Sequence, residues 1–469
     1  MKIEAIDVDA AIGNVKRLLK EEPDLSPALR SALEILLLLI SVLLGRVALN
    51  SNNSSTPPSS DPNRKKAGRE KSDKPSGAQT GHNGTTLKKI PDPDEIEVRL
   101  VDRKSLPLGN YREVGFKTRQ VFDIDISRLV IEYRAQILED DAGKRFIAPF
   151  PEGVTKAVQY GNRLKAHAVY LSQYQLLPYK RVQEYFAAQL QIPVSEGSLY
   201  NFNVQAFEEL AGFEQLCKDR LAQAEVAHAD ETGINIDGKG RWLHCTSSKE
   251  WTHYFAHEKR GTDAFDEAGI LPRFNGILCH DHWRPYFSYG FAHALCNAHH
   301  IRELTYAWEQ DKQVWAKDMG ELLKEINRAV DNAGGALECD EAEKYRKRYR
   351  DVLKKAEIEC PPPEKPPGKA KRGRVKRSKS RNLLERLVNH EEDVLRFMEN
   401  PLVPFTNNLG ENDIRMTKVQ QKISGCFRSM EGAQIFCRIR GYLSTCRKQG
   451  ISSSQAMTLV FEGKWPDFV

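Results

Sequence analysis

The order of apolar patterns between residues 224 and 305 constrains this chain more than any other feature. AEVAHADETGINIDG reads as a strand, a turn at Thr232 and Gly233, and a returning strand. RWLHCTSSKE and WTHYFAHEKRG continue the strand pattern, and a helix follows over residues 262–271. GILCHD and FAHALCNAH then add a buried fourth strand and a fifth. Consecutive strands pair antiparallel, whereas a strand reached through a helix returns parallel. The pattern therefore predicts an α/β domain on a mixed five-stranded sheet, with the first strand central and the fourth beside it.

That order is the order of an RNase H-like fold, and it puts acids where chemistry can use them. Asp230 is expected at the end of the first strand and Asp281 just past the fourth, so adjacent strands would bring their carboxylates together. NNLGENDIRMTKVQQKISGCFRS offers a third acid, Glu411, early in a helix that Asn407 or Asn408 can cap. Ile414, Val419 and Ile423 are that helix's apolar positions. On pattern alone Asp263, Asp266 and Glu303 compete as the third acid. Three clustered carboxylates suit phosphodiester cleavage, in which two Mg²⁺ (or Mn²⁺) ions about 3.5–4 Å apart activate water and stabilise the attacking and leaving oxygens. Mg²⁺ prefers hard oxygen ligands, so Asp230, Asp281 and Glu411 are expected to bind the metal directly.

Ahead of residue 223 the chain changes character several times. Residues 1–50 form a Leu-rich helical segment whose stretch 35–45, ILLLLISVLLG, is too short for a bilayer, which needs about twenty apolar residues. It is expected to pack against a partner helix, making a homo-oligomer with no membrane anchor. Residues 51–92, Pro/Ser-rich and basic at 64–74, cannot bury enough apolar surface to fold and read as a disordered linker. EIEVRLV, REVGFKTRQVFDIDI and RLVIEYRAQIL make 93–150 a small β module. Residues 151–222 return to helical spacing. Val182, Tyr185, Phe186 and Leu190 mark one helix, Ile192 and Pro193 a turn, and Ser195 can cap a second helix bearing Leu199, Phe202 and Phe207. This is the outline of a helix-turn-helix, expected to bind DNA.

Beyond the first part of the core (223–305), residues 306–400 read as polar helices broken by the basic run PPPEKPPGKAKRGRVKRSKSR. Residues 401–469 complete the core with the Glu411 helix and C-terminal helices. The net charge is only +6, but local basic runs of this kind favour an anionic partner such as nucleic acid. Nine cysteines form no CxxC pair, which argues for reduced thiols and a cytoplasmic location.

Around the acids, His228 faces the same side of its strand as Asp230 and is expected to support it from behind, while Glu231 faces away. Lys259 and Arg260 follow the third strand, and Arg302 begins a helix. Arg415, Lys418 and Lys422 fall at helical spacing from Glu411, with Arg428 beyond them. All seven basic residues are candidate DNA contacts. Trp242, Trp251 and Trp283 are expected in the core. Cys296 and His299 supply only two soft ligands where structural zinc needs four, so no zinc is expected.

Taken together, VAHADETGINIDGKGRWLHC, YFAHEKRG, GILCHDHWRPY, HALCNAHHIREL and NNLGENDIR with KISGCFRS resemble the insertion-sequence-66 family of bacterial DDE transposases. The Leu-rich helix followed by SNNSSTPPSSD is also similar to that family. The resemblance implies an RNase H-like catalytic domain with Asp230 and Asp281 as its two aspartates. It selects Glu411 as the glutamate of an N-N-x-x-E pattern and makes 306–400 a helical insertion before it. It implies binding and cleavage of element ends, strand transfer into target DNA, and small accessory proteins encoded alongside. Two departures stand out. The zinc module usual in the family has no cysteine here, so residues 93–150 would depend on apolar packing, and Asn412 stands where an arginine is common. The rival readings are a decayed transposase kept as a DNA-binding regulator, and a nuclease of the same fold without strand transfer.

Overall fold

A computed structural model describes residues 2–3, 6–22, 25–47, 49–54, 61, 87–363 and 377–469. Most of the linker at 51–92, its basic run, and residues 364–376 of the second basic run lie outside the described residues. The chain divides into a larger unit (1–64, 151–184 and 194–469) and a smaller one (65–150 with 185–193).

In the larger unit a five-stranded sheet is built from β1 (Val226–Ile236), β2 (Lys239–Ser247), β3 (Thr252–His257), β4 (Ile277–His280) and β5 (Ala292–Leu295), in the order β3-β2-β1-β4-β5. The first three strands are antiparallel, and β1–β4 and β4–β5 are parallel. The sheet thus has the mixed RNase H-like arrangement that the pattern predicted. One detail differs. β1 does not turn at Thr232 and Gly233 but continues to Ile236, and Ile236 pairs with Lys239 across Asp237–Gly238. Both turn residues have positive φ (50° and 72°), the geometry of a two-residue hairpin for which Asp-Gly is suited. Gly233 instead stays in register opposite Trp242.

Strand alternation then assigns the layers. Ala227 and Ala229 pack with Phe265, Leu278 and Tyr286, under α7 (Thr262–Ala268). Ile234 and Ile236 pack with Ile414, Phe427 and Phe436, under α13 (Asn408–Ser424) and α14 (Met430–Lys448). A third cluster joins Leu295 to the helices that follow: α8 (Asn297–Glu309), α9 (Val314–Asn332), α10 (Cys339–Glu359), α11 (Lys379–Asn389) and α12 (Glu391–Leu395). Its largest buried side chains include Trp315 and Tyr349. These helices therefore share one core with the β4–β5 edge of the sheet.

Before the sheet lie α1 (Val8–Glu21), α2 (Pro27–Val47), α3 (Asn162–Val169), α4 (Tyr179–Leu190), α5 (Glu196–Glu209) and α6 (Ala211–Ala222). Ser195 caps α5, its side chain accepting from the Ser198 N–H at 3.0 Å. The face of α5 carrying Leu199, Phe202 and Ala206 is buried, and its remaining positions include three glutamates and no Lys or Arg. On α2, Leu36, Leu38, Leu39 and Leu43 are all more than half exposed. No described helix is long and apolar enough to cross a membrane.

In the smaller unit the strands expected across 93–150 are fewer than the alternation suggested. Among the described residues only Ile137–Glu139 and Arg145–Ile147 pair, as one hairpin. Val98, Leu100, Val121 and Ile124 stay exposed. A two-stranded ribbon has no second layer to bury such side chains, so alternation alone does not make a sheet there.

Candidate active site

Strand register explains why two distant aspartates meet. β1 and β4 pair through Val226–Ile277, Ala227–Leu278 and His228–Cys279. Two residues further on stand Asp230, on the same face of β1, and Asp281, the first residue past the end of β4. Asp230 is not the last residue of β1, as the sequence suggested, but it is the first same-face position after the parallel pairing stops. The carboxylates therefore sit where the sheet opens, at the carboxyl end of β4. Asp281 is then held by its loop: its Oδ1 accepts the Trp283 N–H at 3.0 Å, while His282 turns left-handed (φ 72°) to bring the chain round.

Glu411 stands in the first turn of α13, near enough to Asp230 to act on its carboxyl, and Asn407 docks that helix. The Asn407 amide does not cap α13. Instead its Nδ2 donates to Ala229 O at 2.8 Å and its Oδ1 meets His228 Nδ1 at 2.8 Å. Because the amide NH₂ is committed to Ala229, His228 Nδ1 is the donor in the second bond. Burial pushes His228 down to about 4, so the ring is neutral in this role. A side chain at Gly410 would place its Cβ 3.2 Å from both polar atoms of the Asn407 amide, so the glycine leaves room for the clamp. Two buried hydrogen bonds thus tie the first turn of the Glu411 helix to the strand of Asp230.

The electrostatics follow from this crowding. Burial first, then the carboxylates of Glu231, Asp281 and Glu411, lift Asp230 to about 8. Glu231, on the opposite face of β1, is the compensated member. It accepts from Arg260 and, at 2.6 Å, from Tyr286 Oη, with its side chain 1% exposed. The competing third acids are engaged elsewhere: Asp263 with Lys259 at 2.7 Å, Asp266 with Tyr289 at 2.6 Å, and Glu303 with Arg386. The remaining set is all carboxylate and short of positive charge, which fits a hard divalent cation.

The candidate DNA contacts divide into two groups. Arg415, Lys418, Lys422 and Arg428 are exposed on α13 and the loop after it, a stripe continuous with Glu411. Lys418 also donates to Gly233 O at 2.7 Å, bracing α13 on β1. Arg302 lines a cleft of about 1000 Å³ with Arg284, Lys379, Arg386 and His282, next to Asp281 in sequence. Arg260 differs: it is stacked between Trp242 and Trp283, 4.7 and 3.9 Å from the ring centroids, and spent on Glu231. Lys259 is exposed and paired with Asp263. Sequence reading missed the Asn407 clamp and the Arg260–Glu231–Tyr286 group. The doubled asparagine before Glu411 was the only signal for the first, and nothing in the spacing announced the second.

One further grouping appears only on folding. Cys296 ends the β5 segment as the residue before α8, and His299 lies in that helix's first turn. Glu411 Oε1 comes within 4.0 Å of Cys296 Sγ and 3.8 Å of His299 Nδ1.

A family described only as of unknown function matches residues 4–88. An uncharacterized protein of Sinorhizobium fredii, y4jO, is 36% identical over 70 residues, which is 15% of this chain and 22% of that protein. The chain therefore spans about a fifth of that relative's length. The Transposase IS66 family matches residues 157–435, a span that holds all five strands, the insertion and Asp230, Asp281 and Glu411. On fold and on match, the chain belongs to the IS66 family of transposases.

Proposed function

We propose that this chain binds the ends of a bacterial insertion sequence, cleaves DNA there, and joins the freed 3′ end to target DNA at the same carboxylate centre. Supporting the reading, Asp230 and Asp281 stand just past the parallel pairing of β1 and β4, and burial with the acidic neighbours Glu231, Asp281 and Glu411 lifts Asp230 to about 8. Asp230, Asp281 and Glu411 would hold two Mg²⁺ (or Mn²⁺) ions, which when bound supply an activated oxygen nucleophile and neutralise charge at the phosphate. The protein's part is positioning. β1 and β4 fix the two aspartates at sheet register, and the His228–Asn407–Ala229 clamp sets where Glu411 stands.

Arg415, Lys422 and Arg428 lie along the Glu411 helix and its following loop, where they would grip the phosphate backbone. Arg302 would meet the strand where it passes the adjoining cleft. The exposed side of α5, with its glutamates, offers phosphates little, so DNA contact by the 151–222 helices would rest on α4 with Lys180 and Arg181. The apolar outer face of α2 would pair with the same helix of a second copy, so that two element ends can be held together. Small accessory proteins of the same element are the other partners proposed.

The test is an assay on labelled element-end DNA with Mg²⁺ or Mn²⁺, carrying a pre-cut 3′-hydroxyl end in parallel. Cleavage together with a joined product supports the proposal. Cleavage with no joined product identifies a nuclease of this fold, and binding with neither product identifies a regulator.

A further inference from the structure

We propose that Cys296, His299 and Glu411 form a second cation site, one for a thiophilic divalent ion such as Zn²⁺, and that Glu411 is the ligand over which it competes with the carboxylate centre. The first half stands on coordination chemistry alone; the second rests on the function proposed for Glu411.

Counting along the sequence gives two soft ligands, too few for zinc. Folding adds the third from a helix more than a hundred residues away. One ligand atom from each residue lies within 4.8 Å of the other two. Zinc with bonds of about 2.3 Å to sulfur and about 2.0–2.1 Å to nitrogen and oxygen sets tetrahedral edges of roughly 3.5 Å for S···O and 3.4 Å for N···O. The observed 4.0 and 3.8 Å are about half an ångström longer, within reach of side-chain rotation. Three protein ligands and one open position is the coordination of a reactive zinc site rather than a closed structural one.

The surroundings suit such an ion. His299 Nδ1 is a buried atom with no hydrogen-bond partner among the described residues, and it faces Glu411. The Asn407 N–H donates to Cys296 Sγ at 3.2 Å, the kind of outer bond that steadies a metal-bound thiolate. Cys296 also occupies the N-cap position of α8, where the helix favours the anionic sulfur. Glu411 serves both centres: it is close enough to Asp230 to raise that carboxyl, and its Oε1 faces the thiol and imidazole. A soft ion held here takes that oxygen away from the hard-metal centre.

Co²⁺ titration of the full chain tests this without reference to DNA cleavage, because a cobalt–thiolate bond gives a charge-transfer band. The wild-type protein should show the band, and stoichiometric Zn²⁺ should bleach it. Cys296→Ser should abolish it, and His299→Ala and Glu411→Gln should each weaken Co²⁺ binding by about tenfold or more. Cys339→Ser, Cys426→Ser and Asp230→Asn should keep it. A band absent from the wild type overturns the site. A band that survives in Cys296→Ser, with circular dichroism unchanged, also overturns it. Loss of the band in Asp230→Asn would show that no separate site exists. Since the readout is optical, an inactive transposase that still shows the band would refute the proposed function while leaving the cation site standing.

Discussion

Replacing Asp230 with Asn should stabilise the protein in EDTA at neutral pH, although it removes a carboxylate from the centre of the site. In the folded chain Asp230 is lifted to about 8, against an ordinary 3.8. Below about pH 4 the group is protonated in both states and contributes nothing to the pH dependence. As pH rises the unfolded chain ionises first while the folded one holds its proton, so stability is lost between about pH 4 and pH 8 and stays lost above. Each pH unit in that window corresponds to about 1.4 kcal/mol, so at pH 7 the wild type forfeits roughly 4 kcal/mol. Asparagine carries no charge, and its Oδ1 can still accept the Glu231 N–H that Asp230 accepts at 2.9 Å. Thermal melts of both proteins in EDTA from pH 4 to pH 8 should therefore coincide at the acid end. They should separate as pH rises, reaching on the order of 10 °C in favour of the variant at pH 7. Mg²⁺ should close the gap by stabilising the wild type. A variant that melts no higher than wild type at pH 7, or a gap independent of pH, would show that Asp230 is not held protonated in the folded chain.

Other consequences follow from the same contacts. Asn407→Ala leaves His228 Nδ1 and Ala229 O buried without their partner, and should cost about 2–4 kcal/mol in denaturation, with a larger fall in cleavage rate than in DNA affinity. Arg260→Ala strips the buried Glu231 of its counter-charge and should cost roughly 3 kcal/mol at pH 7. Because burial raises Glu231's pKa, that loss should shrink in melts at acid pH, as protonation removes the stranded charge. Ala at Arg415, Lys422 or Arg428 should each flatten the plot of log affinity against log salt by about one, read by filter binding with duplex DNA. Lys418→Ala, whose ammonium is bonded to Gly233 O, should flatten it less.

Much of the fold was legible because periodicity reports which face of an element is buried. The three-strand meander, the crossover helix and the two parallel strands were read from Val226 to Leu295 with no outside help, and the sheet order follows from them. Residues 93–150 show the limit of that reasoning. The partial alternation there forms one short hairpin among the described residues, because a strand pattern says nothing about whether a second layer exists to cover it. The turn assigned to Gly233 failed for a related reason: local turn chemistry favoured Asp237–Gly238, and a glycine within a strand was the weaker signal.

The site divides in the same way. Asp230 and Asp281 could be paired by strand logic, since register is a local property of neighbouring strands. Glu411 could not: its helix is separated from β5 by the helices α8 to α12, and only the family resemblance selected it over Asp263, Asp266 and Glu303. The structure shows why those rivals are spent, on Lys259, Tyr289 and Arg386. It also shows why Cys296 and His299 looked incomplete as ligands. Their third partner arrives through long-range packing, which no spacing rule along the chain can reveal.

Asp230, Asp281 and Glu411 would act as one catalytic set. This is tested most directly by measuring Mg²⁺-dependent cleavage of element-end DNA beside DNA affinity for Asp230→Asn, Asp281→Asn and Glu411→Gln. Each single variant should lose cleavage by at least about a thousandfold, some 4 kcal/mol of barrier, while binding the same DNA within a few-fold of wild type. Cleavage retained in any one of the three, at wild-type affinity, would contradict that shared role.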